Sequence, residues 1–242
     1  MPRKREIATL SLSMLDVISG ALGAMMILYI AVPKAEQNHL EQAHASRTSS
    51  EQNKSSEILP AHVGFKFQGK KVVFILDTSG SMEREDRMGQ VKAGLKFFLT
   101  SLSDEYAIDF IQYPGIMGET HVPLFGELKT FTPDVKIQIF KMLYQMRPQG
   151  PTPTRDALSY ALTHYPGVTD IVLLTDGAPT VGLSYNPDDI GEILKTVKTL
   201  NTSGVQINGL GIGRKFLDEP NHPKYQFLFN LARNNRGFFY GL

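Results

Sequence analysis

Residues 72–82 read VVFILDTSGSM: an apolar run that ends in a carboxylate, Asp77, followed by hydroxyls at alternate positions, Ser79 and Ser81. Carboxylate and hydroxyl oxygens are hard ligands of the kind magnesium takes, about six of them at roughly 2.1 Å. A lone D-x-S-x-S run also reads as a turn capped by its own side chains, because Asp and Ser readily bond nearby backbone amides. Two distant stretches favour the metal. RPQGPTPTRDAL, residues 147–158, carries Thr152 and Thr154 ahead of a helix. LLTDGAP, residues 173–179, sets Asp176 just past a second apolar run. Two carboxylates would balance a divalent charge and leave a position open for an acidic side chain from a partner. Gly80 and Gly177 would let the backbone wrap closely. Thr154 is the runner-up to Thr152 as a ligand; its other reading is the N-cap of a helix beginning at Arg155.

The elements that must position these residues alternate from Lys71 onward. Continuous β-branched and aliphatic runs at 71–77 and 170–177 predict strands buried on both faces. Apolar residues at helical spacing, Val91, Leu95, Phe98, Leu99 and Leu102, predict a helix over 87–102. A strand is expected at 106–113. An edge strand is expected at 121–131, interrupted by Pro123. Helices follow from Thr132, as N-cap with Pro133 at N1, and over 154–165. A further helix over 188–204 ends at Gly204, as left-handed caps do. The pattern closes with a strand at 205–213, a helix at 223–235 and a strand at 237–242. Strands alternating with helices imply an α/β, doubly wound, mostly parallel sheet flanked by helices. Ligands gather at the carboxyl ends of such strands, where Asp77 and Asp176 stand.

In order and spacing, Asp77-Thr-Ser79-Gly-Ser81, the later Gly-x-Thr-x-Thr loop and Asp176-Gly-x-Pro resemble the von Willebrand factor A domain over about residues 71–242. The resemblance implies a Rossmann-like fold and a metal-ion-dependent adhesion site holding magnesium, or manganese or calcium. Ser79 and Ser81 would bind the ion directly, Thr152 would do so in the ligand-bound state, and Asp77 and Asp176 would act largely through water. The implied partner is a protein offering an Asp or Glu carboxylate. Pro151 stands where many family members have glycine.

Other chemistries have less support. A haloacid-dehalogenase-like nucleophile would need a second aspartate where Ser79 stands, and no serine lies in a G-x-S-x-G elbow. GLGIG at 209–213 lacks the third glycine of a dinucleotide loop, and no Walker loop is present. No enzymatic activity is therefore expected. With no cysteine, the chain has neither disulfides nor thiolate sites, and its six histidines are scattered. The formal net charge is +1, with no basic stretch suited to nucleic acid.

The first six residues form a basic cytoplasmic N-terminus, Arg3, Lys4 and Arg5 preceding an apolar stretch over 7–32 broken only by Asp16. From Leu10 to Val32 a helix would cover about 34 Å, enough to span a bilayer. It is too long for a signal peptide core, so an uncleaved single-span anchor is expected. The positive cluster keeps the N-terminus in the cytoplasm, which sends the C-terminal domain to the periplasmic side of a bacterial inner membrane. Asp16 is either a tolerated polar residue near the headgroups or an ion-translocating carboxylate facing a partner. SLSMLDVISGALGAMMILYI resembles the anchor of ExbD, TolR and the flagellar-stator B families. That implies a multi-span MotA/TolQ/ExbB-like partner, a homodimer and a role in an ion-driven motor. The alternative is a plain tethered adhesion or scaffold protein. Residues 33–70 are polar and read as a linker.

Overall fold

The chain divides into two compact units, Met1–Gly64 and Phe65–Leu242. The computed structural model describes residues 66–116, 118–181 and 185–242, all in the second unit. The expected anchor, Asp16 and most of the linker lie outside the described residues. Among those described, no helix is long and apolar enough to cross a membrane.

A seven-stranded sheet runs in the order β3-β2-β1-β5-β8-β9, with β4 also paired to β2. The central strands are β1 (Lys71–Asp77), β2 (Ala107–Tyr113), β5 (Asp170–Thr175) and β8 (Gln206–Gly211), joined at one edge by β9 (Phe239–Gly241). All pairings among these five are parallel. The short β3 (Val122–Pro123) and β4 (Lys129–Thr130) lie antiparallel to β2.

Because successive side chains alternate across a strand, a strand apolar throughout must be covered on both faces. Val72, Phe74 and Leu76 of β1 face one core, built with α1 (Arg87–Ser101) and α2 (Pro133–Gln145). Val73 and Ile75 face the other, built with α3 (Thr154–His164), α4 (Ile190–Leu200) and α5 (Pro223–Asn234). The fold is the expected doubly wound α/β architecture.

Several boundaries differ from the sequence reading. The expected edge strand over 121–131 is two short strands parted by a turn at Gly126, φ +72°. Helix α4 stops at Leu200, and the left-handed Gly204 closes the following turn, donating to the Asn201 carbonyl at 3.4 Å. Thr154 is not an N-cap. It begins α3 itself, after Pro153, and its hydroxyl donates to the Thr152 carbonyl at 3.3 Å. A hairpin of β6 (Thr180–Val181) and β7 (Asn186–Pro187) follows β5, in a stretch for which the sequence predicts no element.

Two fully buried carboxylates act as fasteners. Asp170 accepts from the amides of Gln68 and Gly69 at 2.9 and 3.0 Å, fixing the chain as it enters β1. Asp109 accepts from the amides of Phe110 and Phe125 and, at 2.8 Å, from the Tyr165 hydroxyl. Burying a carboxylate is costly unless donors satisfy it, and here they do.

The core should report its packing directly. Ile75 is fully buried in the central strand, so Ile75→Ala should cost about 2–5 kcal/mol in urea unfolding. Ile137, 65% exposed on α2, should tolerate the same change within about 0.5 kcal/mol.

Candidate metal centre

Strands β1 and β5 are neighbours, with Leu76 opposite Leu174, so their carboxyl ends deliver Asp77 and Thr175-Asp176 side by side. From there the chain leaves β1 toward α1 on one face and β5 toward α4 on the other. This divergence opens the crevice in which doubly wound sheets hold ligands.

A chain of hydrogen bonds links four of the five expected residues. The Ser79 amide donates to Asp77 Oδ1 at 2.8 Å. The hydroxyls of Ser79 and Ser81 lie 3.1 Å apart. Ser81 Oγ donates to Asp176 Oδ1 at 2.6 Å. Thr152 reaches the same space by another route: a Cβ built on Gly177 would stand 3.5 Å from both Asp77 Oδ2 and Thr152 Oγ1. Those are ordinary van der Waals distances, so the site itself does not require glycine at 177. Gly80 needs no special geometry; its amide donates to the Gly150 carbonyl at 3.0 Å.

The loops are fixed to one another. The Gln149 amide donates to the Thr78 carbonyl at 2.7 Å, tying the first loop to the segment carrying Thr152. The Thr152 amide donates to Thr180 Oγ1 at 2.7 Å, and its carbonyl accepts from the Thr180 amide at 2.8 Å. The β6–β7 hairpin therefore braces Thr152.

Sequence reasoning missed three neighbours. Thr175 Oγ1 donates to Asp77 Oδ2 at 2.5 Å. Arg87 pairs through Nη1 with Asp176 Oδ2 and through Nη2 with Glu85 Oε2 at 3.0 Å. Lys224 Nζ donates to the backbone carbonyl of Asp176 at 2.9 Å, and burial lowers its pKa. A signal for the two cations was present: both lie in the first turn of a helix, α1 or α5, where the dipole favours anions. Tyr113, opposite Asp77 in the sheet register, is fully buried, and its hydroxyl has no partner among the described residues.

Asp77, Ser79, Thr152 and Asp176 are all buried. Burial, and then repulsion from Asp176, push the Asp77 carboxyl up to about 6. Hydrogen bonds from Ser79 and Thr175 oppose that shift. The donor set is entirely oxygen, from two carboxylates and three hydroxyls bordering one crevice, and it fits a hard divalent cation. Among the described residues no group of three His, Cys, Asp or Glu offers a competing site.

In chelator, the folded protein keeps a proton on Asp77 to higher pH than the unfolded chain does. Its contribution to stability is full below the unfolded pKa and falls away as pH rises toward about 6. The difference between wild-type and Asp77→Ala stability, from urea unfolding at stepped pH, should therefore shift against wild type across that interval. A flat difference would contradict the raised carboxyl.

Comparison with known proteins follows the same lines. The von Willebrand factor type A domain model matches residues 71–241. The uncharacterized protein YfbK of Escherichia coli (strain K12) is 27% identical over 173 residues, 69% of this chain and 27% of that protein. Inter-alpha-trypsin inhibitor heavy chain H2 of Mesocricetus auratus is 28% identical over 179 residues, 69% of this chain and 17% of that protein. The chain thus spans well under a third of either relative. Among solved structures, a von Willebrand factor type A protein from Catenulispora acidiphila superposes with TM-score 0.57 at 19% identity, covering 72% of this chain and 38% of that one. The pilus adhesin SpaC from Lactobacillus rhamnosus GG does so with TM-score 0.56 at 20% identity, covering 74% and 29%. At such identities the likeness is one of fold. The match over 71–241 identifies the chain as a member of the von Willebrand factor type A domain family.

Proposed function

We propose that this protein is a tethered adhesion or scaffold protein that captures a protein ligand through a divalent cation at the edge of its sheet. The observation that carries the reading is the run of hydrogen bonds from Asp77 through Ser79 and Ser81 to Asp176, which joins two strand ends at one point. Domains of this family mediate protein–protein interaction, and the donor set suits magnesium, or manganese or calcium.

The cation, when bound, would supply a Lewis-acidic bridge to an acidic side chain of the partner. Ser79, Ser81 and Thr152 would present hydroxyl oxygens to it. Asp77 and Asp176 would offset its charge, with Thr175 holding Asp77 in orientation. The fixed loops mean that little reorganisation accompanies capture. The reading is of a binding module, not an enzyme.

The apolar stretch over 7–32 and the basic residues before it support tethering, with the domain on the extracytoplasmic side. The plain adhesion or scaffold reading is preferred to the motor reading. Family membership supports protein binding directly, whereas the motor and its multi-span partner rest on Asp16, outside the described residues.

Magnesium added to the full chain should raise its melting temperature, with stabilisation that grows logarithmically above Kd and reaches about 2.7 kcal/mol at a hundredfold excess. Chelator should reverse the effect. Asp77→Ala with Ser79→Ala should remove the response while far-UV circular dichroism stays native. An undiminished magnesium response in that double variant would refute the assignment.

A further inference from the structure

Capture of an acidic partner does not explain why Arg87 sits where it does. Its guanidinium pairs with Asp176, whose side chain is fully buried, while its own is 17% exposed. Ser81 occupies Oδ1 of that carboxylate and Arg87 occupies Oδ2, so both oxygens are already engaged. A divalent cation needing the charge of Asp176 would meet a positive group already in contact with it.

The position is also an uncomfortable one for a cation. Arg87 is the first residue of α1, at the positive end of the helix dipole. The two residues before it, Glu85 at φ 54° and Asp86 at φ 52°, both lie in the left-handed region, which non-glycine residues adopt at a cost. Asp86 makes no side-chain cap to the helix. Arg87 Nε is buried and has no hydrogen-bond partner among the described residues. Room for the guanidinium depends on Gly213, φ +104°, where a Cβ would stand 3.1 Å from Nε. Strained backbone just before Arg87, an opposing dipole and an unsatisfied donor on Arg87 itself are all tolerated, and the Asp176 pair is what offsets them. Lys224 differs: it bonds the backbone carbonyl of Asp176 and leaves the carboxylate alone.

We propose that Arg87 is a built-in counter-cation, holding Asp176 in the metal-free protein and competing with the divalent cation for that carboxylate. It thereby sets the metal affinity of the site. Arrival of the ion releases Arg87 from Asp176 and lets Glu85 and Asp86, the two residues before it, leave their left-handed conformation. The proposal rests on the metal reading above, and its test separates the two.

Calorimetric titration of the full chain with magnesium, and again with manganese, reads the competition directly. Arg87→Gln removes the charge and should lower the Kd at least about tenfold. Arg87→Lys keeps the charge and should stay within about threefold of wild type, which also guards against a folding defect in the first variant. Equal or weaker binding by Arg87→Gln would make Arg87 a mere support for Asp176 and overturn the proposal. So would equal tightening by both variants, since charge would not then be the agent. If wild type binds and Asp77→Ala does not, a flat Arg87→Gln result sinks this proposal alone. If neither wild type nor Arg87→Gln binds either metal, the metal reading fails and this proposal with it.

Discussion

Two carboxylates, Asp77 and Asp176, are buried beside each other at the ends of neighbouring parallel strands, and the surrounding structure is organised around that placement. Like charges in a low-dielectric site repel, and each loses hydration it would have in water. The chain answers with a backbone amide from Ser79, hydroxyls from Thr175 and Ser81, and a guanidinium from Arg87. The two fasteners elsewhere differ in kind. Asp109 and Asp170 are held chiefly by backbone amides and stitch segments together. Asp77 and Asp176 are held largely by side chains, two of them hydroxyls that can also face an ion and one a guanidinium that an ion would displace.

Placement at the carboxyl edge joins a rigid base to adaptable loops. The strands beneath are closed by cores on both faces, which fixes where Asp77 and Thr175 emerge. The loops above are cross-braced: Gln149 to Thr78, Gly80 to Gly150, Thr152 to Thr180. A partner would therefore meet a surface whose shape is set before contact, which keeps the ordering cost of association low.

Much of this was legible in the sequence, for physical reasons. Strands apolar on both faces and helices with a single apolar stripe leave distinct periods, so the α/β architecture could be read. Asp77, Ser79, Ser81 and Asp176 could be named as candidates because each stands at or just past the end of a recognisable strand, and Thr152 because it lies just ahead of a recognisable helix. What escaped was set by tertiary contact. Nothing local tells that the edge segment breaks at Gly126 into two strands, or that Thr154 opens a helix instead of capping it. Thr175 looked like one more strand residue until its neighbour across the sheet proved to be Asp77. Arg87 and Lys224 did leave a trace, as cations at helix starts, but that trace acquires meaning only beside Asp176. Asp16 and the anchor belong to the part of the chain outside the described residues.

Parallel pairing of β1 with β5 joins residues far apart in the chain; Asp77 and Thr175 are separated by 98 positions. Contacts of such long sequence separation form late, since the intervening loop must close first. During synthesis the first half of the crevice leaves the ribosome well before the second exists. The DTSGS loop therefore waits, as an exposed and incomplete cluster of oxygens, until β5 and the residues behind it have emerged. Competence to hold a ligand thus arrives together with completion of the sheet, and a truncated or stalled chain would carry the motif without the capacity.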